Sequence, residues 1–82
     1  MDAKETIFQM LGSIKPEYDF TKSEDYLTDG YLDSMDVVML NGMLEEAFHI
    51  KIDGMDILPE NYANADTILA LVQKSERTAE HA

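Results

Sequence analysis

The sequence predicts a small all-α fold, a four-helix bundle of three main helices and one short helix with a long first loop. Three observations support this class: apolar residues recur at helical spacing in three segments, no alternating strand pattern persists, and no segment repeats. A chain of 82 residues makes one domain. Such a chain buries only about 60–65% of its extended surface on folding, so chemistry at the surface or on partner proteins is expected.

The first predicted helix covers residues 3–14, with Asp2 and Glu5 placed to form a capping box at its start. Its apolar side chains recur at i, i+3, i+4 and i+7: Ile7, Met10, Leu11 and Ile14. Pro16 ends this helix, and residues 15–33 form a long polar loop. The large apolar side chains within the loop predict that it is pinned to the core: Tyr18, Phe20, Tyr26, Leu27, Tyr31 and Leu32.

The second helix is predicted over residues 34–49, with Asp33 as its N-cap. One side carries the expected core stripe: Val37, Leu40, Leu44, Ala47 and Phe48. The opposite side carries a second apolar patch beside acidic residues: Met35, Val38, Met39 and Gly42, then Glu45, Glu46 and His49. Two interpretations stay open. The helix is buried nearly all round, or the patch docks partners, with adaptable methionines and with glutamates that meet Lys or Arg.

The rest of the chain predicts one more main helix. Residues 57–62 allow a brief helical turn, interrupted by Pro59, in an otherwise irregular stretch. Asn64 caps the last helix, whose apolar side chains are Ile68, Leu69, Leu71 and Val72. We expect a single domain over residues 1–75 and a flexible C-terminal tail over residues 76–82.

Composition excludes several classes of function. The net charge of −11 repels nucleic acid and anionic membranes and attracts basic protein surfaces. The chain has no cysteine, so any thiol that it uses must be added to it. No signal peptide or membrane-spanning run is visible. We therefore expect a cytoplasmic protein that binds no nucleic acid and does not insert stably into a membrane.

A motif lies where the long loop meets the second helix. Residues 29–36 read Asp-Gly-Tyr-Leu-Asp-Ser-Met-Asp, and residues 44–52 read Leu-Glu-Glu-Ala-Phe-His-Ile-Lys-Ile. This pattern resembles the phosphopantetheine attachment region of acyl carrier proteins, with an Asp-Ser-(Leu or Met) core, a Leu-Glu-Glu-x-Phe close and an Ile-x-Ile exit. Residues 59–62, Pro-Glu-Asn-Tyr, and the last helix extend the resemblance over nearly the whole chain. Without this context, an ordinary capping serine would be the better interpretation of Ser34.

The resemblance implies an acyl-carrier-like bundle that is a carrier and not an enzyme. A phosphopantetheinyl transferase would move 4'-phosphopantetheine from coenzyme A onto Ser34, between Asp33 and Met35, and the thiol of the arm would hold the cargo as a thioester. Loading ligases, synthases or acyltransferases with basic docking surfaces are the implied partners of a monomer. The residues that the resemblance places against these partners are Asp36, Val38, Met39, Gly42, Glu45 and Glu46.

The local chemistry agrees with attachment at Ser34. If Asp33 caps the helix, the Ser34 hydroxyl is free at the first turn. A phosphodiester there meets unpaired backbone N–H groups and the positive end of the helix dipole, although Asp33 and Asp36 oppose it.

Departures from the family pattern bear on the pathway. Many fatty-acid carriers have Leu after the serine and an acidic residue where Met39 stands, whereas this chain has Met35, Met39, Asn41 and Gly42. The face is thus less acidic and more apolar. The phrases Asp-Gly-Tyr-Leu-Asp-Ser and Pro-Glu-Asn-Tyr resemble those of free-standing carriers of specialised pathways, including carriers of aminoacyl, polyketide or unusual acyl groups. Fatty-acid, polyketide and nonribosomal biosynthesis all stay open. The Gly-Gly pair usual before the serine of peptidyl carriers is absent.

Calcium binding is the first alternative. With Gly30 as the sixth residue of an EF-hand loop, acidic residues fall at positions one, five, nine and twelve: Asp25, Asp29, Asp33 and Asp36. Leu27 offers no side-chain oxygen at position three, Asp36 is shorter than the usual bidentate Glu, and no entering helix is predicted.

Two further classes compete with the carrier. A serine hydrolase lacks the Gly-x-Ser-x-Gly elbow, and the only histidines are His49 and His81. On one helix Ser34 and His49 lie about 20 Å apart, too far for a dyad. An acidic helical adaptor that binds partners without modification is the remaining alternative.

Overall fold

A computed structural model describes the backbone of residues 2–80 and the side chains of residues 2–77. It contains three α-helices: α1 (Ala3–Ile14), α2 (Ser34–Phe48) and α3 (Ala65–Glu80). Two 3₁₀ helices, Gly54–Asp56 and Pro59–Tyr62, lie between α2 and α3. No strand occurs within residues 2–80, so the expected all-α class is confirmed.

The helices begin at the residues that the sequence indicates. The side chain of Asp2 accepts a hydrogen bond of 2.8 Å from the backbone N–H of Glu5 at the start of α1. At the start of α3, Oδ1 of Asn64 accepts a hydrogen bond of 3.0 Å from the N–H of Thr67, whose hydroxyl accepts in return from the N–H of Asn64. Each cap satisfies backbone donors that have no partner inside a helix.

One apolar core holds the three helices together. Helix α1 contacts both α2 and α3, and α3 also contacts the second 3₁₀ helix. Residues from the three α-helices, the second 3₁₀ helix and the long loop enter the core, and the most deeply buried are Ile7, Leu11, Tyr26, Leu40, Leu44, Tyr62, Ile68 and Val72. All buried side-chain polar atoms in the described part of the chain have a hydrogen-bond partner.

Tyr26 organises the loop between α1 and α2. Its ring is 1% exposed, and its hydroxyl donates a hydrogen bond of 2.8 Å to the carbonyl of Phe20. Its backbone N–H donates to the carbonyl of Ala63, and its own carbonyl accepts from the N–H groups of Tyr31 and Leu32. The segment thus has a fixed path without regular structure, and Leu32 is buried just before α2.

The structure differs from the sequence-based expectations at three places. Ala47 is exposed rather than part of the core, because it lies at the margin of the stripe, about 80° from Val37, in the last turn of α2. Pro59 does not interrupt a helical turn but begins one, since its fixed φ suits the first helical position.

The third difference is at the C-terminal end. Helix α3 continues through Glu80, so residues 76–80 of the expected tail are helical. The last two tail residues, including His81, lie outside the described residues. Within residues 2–80, none of the helices combines the length and the apolarity that crossing a bilayer requires.

We expect Tyr26→Phe to lower the free energy of unfolding by about 1–3 kcal/mol, because the buried carbonyl of Phe20 then loses its donor. Denaturant unfolding at neutral pH measures the change. Tyr18→Phe is the matched control, since Tyr18 is a half-exposed ring of the same loop, and a change within about 0.5 kcal/mol is expected there. Equal losses in the two variants would contradict the role assigned to the Tyr26 hydroxyl.

Candidate functional site

Ser34 is the first residue of α2 and is exposed. Asp33 precedes it in extended conformation, and its Oδ1 accepts a hydrogen bond of 2.9 Å from the backbone N–H of Asp36. In return, Oδ2 of Asp36 accepts a hydrogen bond of 3.1 Å from the N–H of Asp33. The two aspartates form a reciprocal capping box, so the cap does not need the hydroxyl of Ser34.

A lysine directly after α1 balances part of the acidic charge at this helix end. The Nζ of Lys15 lies 3.5 Å from Oδ2 of Asp36, and this carboxylate raises the pKa of Lys15. The hydrogen bond from the N–H of Asp36 lowers the pKa of Asp33, and the nearby Lys15 lowers it further. Ser34 therefore lies at the positive end of the α2 dipole, between two carboxylates of which one, Asp36, is paired with Lys15.

An apolar groove of about 260 Å³ opens next to Ser34. It lies between α2 and the segment that contains the second 3₁₀ helix, and its walls are Leu27, Ser34, Val37, Val38, Ile57, Leu58, Pro59 and Tyr62. The hydroxyl of Tyr62 donates a hydrogen bond of 2.7 Å to Oδ1 of Asn41 on α2. Burial raises the pKa of Tyr62 to about 12, so this phenol stays protonated as a donor at neutral pH.

The second apolar side of α2 faces solvent. Met35 is 71% exposed, Val38 66% and Met39 52%, and Gly42 and Glu46 are also exposed. At about 100° per residue these five residues lie on one side of the helix. We call this surface, made of Met35, Val38, Met39, Gly42 and Glu46, the α2 face. The interpretation of α2 as a helix buried nearly all round is wrong.

Two of the predicted partner-binding residues do not belong to the α2 face. Asp36 is only 7% exposed and is held by the capping box and Lys15. Glu45 is partly buried, and its Oε2 accepts a hydrogen bond of 2.9 Å from the backbone N–H of Ile52. Both carboxylates hold the backbone in place instead of standing free in solvent.

Sequence reasoning missed Ile57 and Leu58, which are 42% and 41% exposed and line the groove opposite Val38. A signal was present, because two large apolar residues stand directly before a proline in a stretch too short to form a core helix. Exposed neighbours of this kind are typical of a binding surface.

The calcium alternative finds no support in the loop before α2. Oδ1 of Asp25 accepts hydrogen bonds from the N–H groups of Leu27 and Thr28, Oδ2 of Asp29 accepts from the hydroxyl of Ser23, and Asp36 belongs to the cap. Over residues 15–33 no helix enters the loop. Among the described residues, no three His, Cys, Asp or Glu side chains are grouped so that they could hold a metal ion.

The hydrolase alternative finds no base for Ser34 on α2. His49 caps the far end of α2 in the left-handed conformation, with φ of 54°, about 22 Å along the helix axis from Ser34 at 1.5 Å per residue. The other histidine, His81, lies outside the described residues. Ser34 therefore has no general base of this type on its own helix.

No model of a known protein family matches this chain, and no curated protein matches it in sequence. Its function is therefore inferred from the side chains around Ser34 and from the motif that contains them.

We expect the contribution of the Asp33 charge to stability to depend on pH. Because the folded-state pKa is below the ordinary value of 3.8, this contribution is complete above the unfolded-state pKa and is lost as the pH falls through the folded-state pKa. Asp33→Asn keeps a capping oxygen without the charge. Wild type should therefore be more stable than Asp33→Asn at pH 7, and urea unfolding across pH should show the gap close in acid. A gap that does not change with pH would contradict the assignment.

Proposed function

We propose that this protein is a carrier that holds acyl or related groups as thioesters on a 4'-phosphopantetheine arm attached to Ser34. The observation that carries the proposal is an exposed serine at the start of a capped helix, directly beside an apolar groove. The hydroxyl is accessible to a modifying enzyme, and the groove is able to shelter part of what becomes attached. The absence of cysteine means that the thiol must come from the arm.

The surroundings of Ser34 suit a phosphodiester. The first N–H groups of α2 and the positive end of the helix dipole favour it, and the opposing charge of Asp36 is reduced by its pairing with Lys15, while Asp33 opposes it with a carboxylate that is engaged in the cap. In the proposed carrier, the second 3₁₀ helix takes the place of the short fourth helix of the bundle.

The α2 face is the proposed docking surface for the transferase and for the loading and consuming enzymes. Its contact surface is apolar, with methionines that adapt to different partners, and its acidic edge is Glu46. The net charge of −11 favours partners with basic docking surfaces. We further propose a cytoplasmic, monomeric carrier of a specialised biosynthetic pathway.

Intact mass spectrometry tests the attachment. After incubation with coenzyme A and a broad-specificity phosphopantetheinyl transferase, wild type should gain the mass of one phosphopantetheine, and Ser34→Ala should gain none. Ser13→Ala is the matched control, because Ser13 is also an exposed serine on a helix, and this variant should be modified like wild type. Unmodified wild-type protein would overturn the carrier proposal and favour an adaptor that docks partners through the α2 face.

A charge reversal tests the docking surface. We expect Glu46→Lys to lower kcat/KM for modification by the transferase about tenfold, as the loss of about 1.4 kcal/mol at an interface does. Glu76→Lys makes the same change in net charge at an exposed position on α3 and should have a much smaller effect. If both variants lose activity equally, total charge and not the α2 face governs recognition.

A further inference from the structure

We propose that the hydrogen bond between Asn41 and Tyr62 closes the inner end of the groove, so that the protein shelters short apolar acyl groups and excludes long ones. This inference rests on the proposed attachment at Ser34, and it assigns a size limit to the cargo.

The position of Asn41 follows from the spacing on α2. One side of the helix carries the residues three, four and seven positions after Ser34. These residues are Val37, Val38 and Asn41. Ser34, Val37 and Val38 line the groove, whereas Asn41 does not. About 10 Å of helix separates Ser34 from Asn41 at 1.5 Å per residue, and at this distance the apolar wall gives way to a polar side chain.

Tyr62 completes the closure from the opposite wall. It lines the groove and is fully buried, and its hydroxyl reaches across to Oδ1 of Asn41 at 2.7 Å. The bond joins α2 to the second 3₁₀ helix, so a chain that grows inward from Ser34 meets two paired polar groups and not further apolar surface.

Breaking this bond makes deeper entry unfavourable. A longer chain would have to separate the phenol from the amide and leave the buried hydroxyl of Tyr62 without a partner, a penalty that offsets the burial of about two or three methylene groups. The groove is also small, at about 260 Å³, compared with about 300–1,000 Å³ for pockets that hold drug-sized ligands.

The test loads the protein with butanoyl or decanoyl phosphopantetheine from the matching coenzyme A thioester and measures the rate at which hydroxylamine cleaves each thioester. The variant Asn41→Leu/Tyr62→Phe removes both partners of the bond, so no polar group is left unpaired and folding should be kept. The single variant Tyr62→Phe, checked by the same assay, provides a second route should the double variant fold poorly.

In wild type, the butanoyl thioester should be cleaved more slowly than a free butanoyl thioester, and the decanoyl group should gain no further protection. In either variant, cleavage of the decanoyl thioester should slow about fourfold for each further methylene that enters the groove. The butanoyl group has no further methylene to bury, so the ratio of the decanoyl to the butanoyl cleavage rate should fall. Tyr18→Phe is the matched control, since it removes the hydroxyl of a half-exposed tyrosine that does not line the groove, and it should keep the wild-type chain-length pattern.

Two failures are distinguishable. If no phosphopantetheine becomes attached to wild type, both the proposed carrier function and the proposed limit on acyl chain length are wrong. If wild type is loaded but protects the decanoyl thioester at least as well as the variants do, the size limit is overturned and the carrier proposal is unaffected.

Discussion

The burial of Tyr26 is the constraint on which the rest of the structure depends. The chain between α1 and α2 has no helix or strand to hold it, yet it must deliver Asp33 and Ser34 to the start of α2 in one conformation. Tyr26 provides this by packing its ring in the core, by edge-to-face contact with Phe20 at 4.9 Å between ring centroids, and by backbone hydrogen bonds in both directions. A single residue thus joins the loop, the core and the site.

The acidic residues of this protein have two separate physical roles. Asp33, Asp36 and Glu45 each accept hydrogen bonds from backbone N–H groups, which fixes both ends of α2. At the far end, the N–H of Ile50 also bonds the carbonyl of Glu45 beyond left-handed His49. This is the hydrogen bond of a Schellman closure. Other carboxylates stay in solvent and supply the negative field, so composition alone overstates how acidic the α2 face is.

The sequence predicts the helices well because their signals are local. Asp2, Asp33 and Asn64 cap their helices as expected, and the cap at Asp33 places Ser34 at the first position of α2. These predictions succeed because a side-chain cap and a helical period are both properties of short segments. Periodicity could not decide whether the second side of α2 is covered, since that depends on where the rest of the chain lies.

The groove was beyond sequence reasoning for a related reason. Its walls come from the long loop, from α2 and from the segment before α3, and the contact between Asn41 and Tyr62 spans 21 residues. No local pattern encodes such a pairing. The sequence also does not reveal that Asp36 and Glu45 accept hydrogen bonds from backbone N–H groups. A carboxylate on a helix is expected to be solvent-exposed unless the position of such a donor is known.

The α2 face combines a negative field with apolar contact surface, so that different features would govern the association rate and the dissociation rate of a partner. The negative field acts over roughly a Debye length, about 8 Å at physiological ionic strength, and so raises the association rate of basic proteins. In the proposed docking, the contact would be made by Met35, Val38 and Met39, whose exposed apolar surface is less sensitive to salt than charged groups are and would govern the dissociation rate. Raising the ionic strength would therefore lower the association rate and leave the dissociation rate largely unchanged. For the proposed carrier, which passes between enzymes, this division means that different residues set the association rate and the residence time at each enzyme.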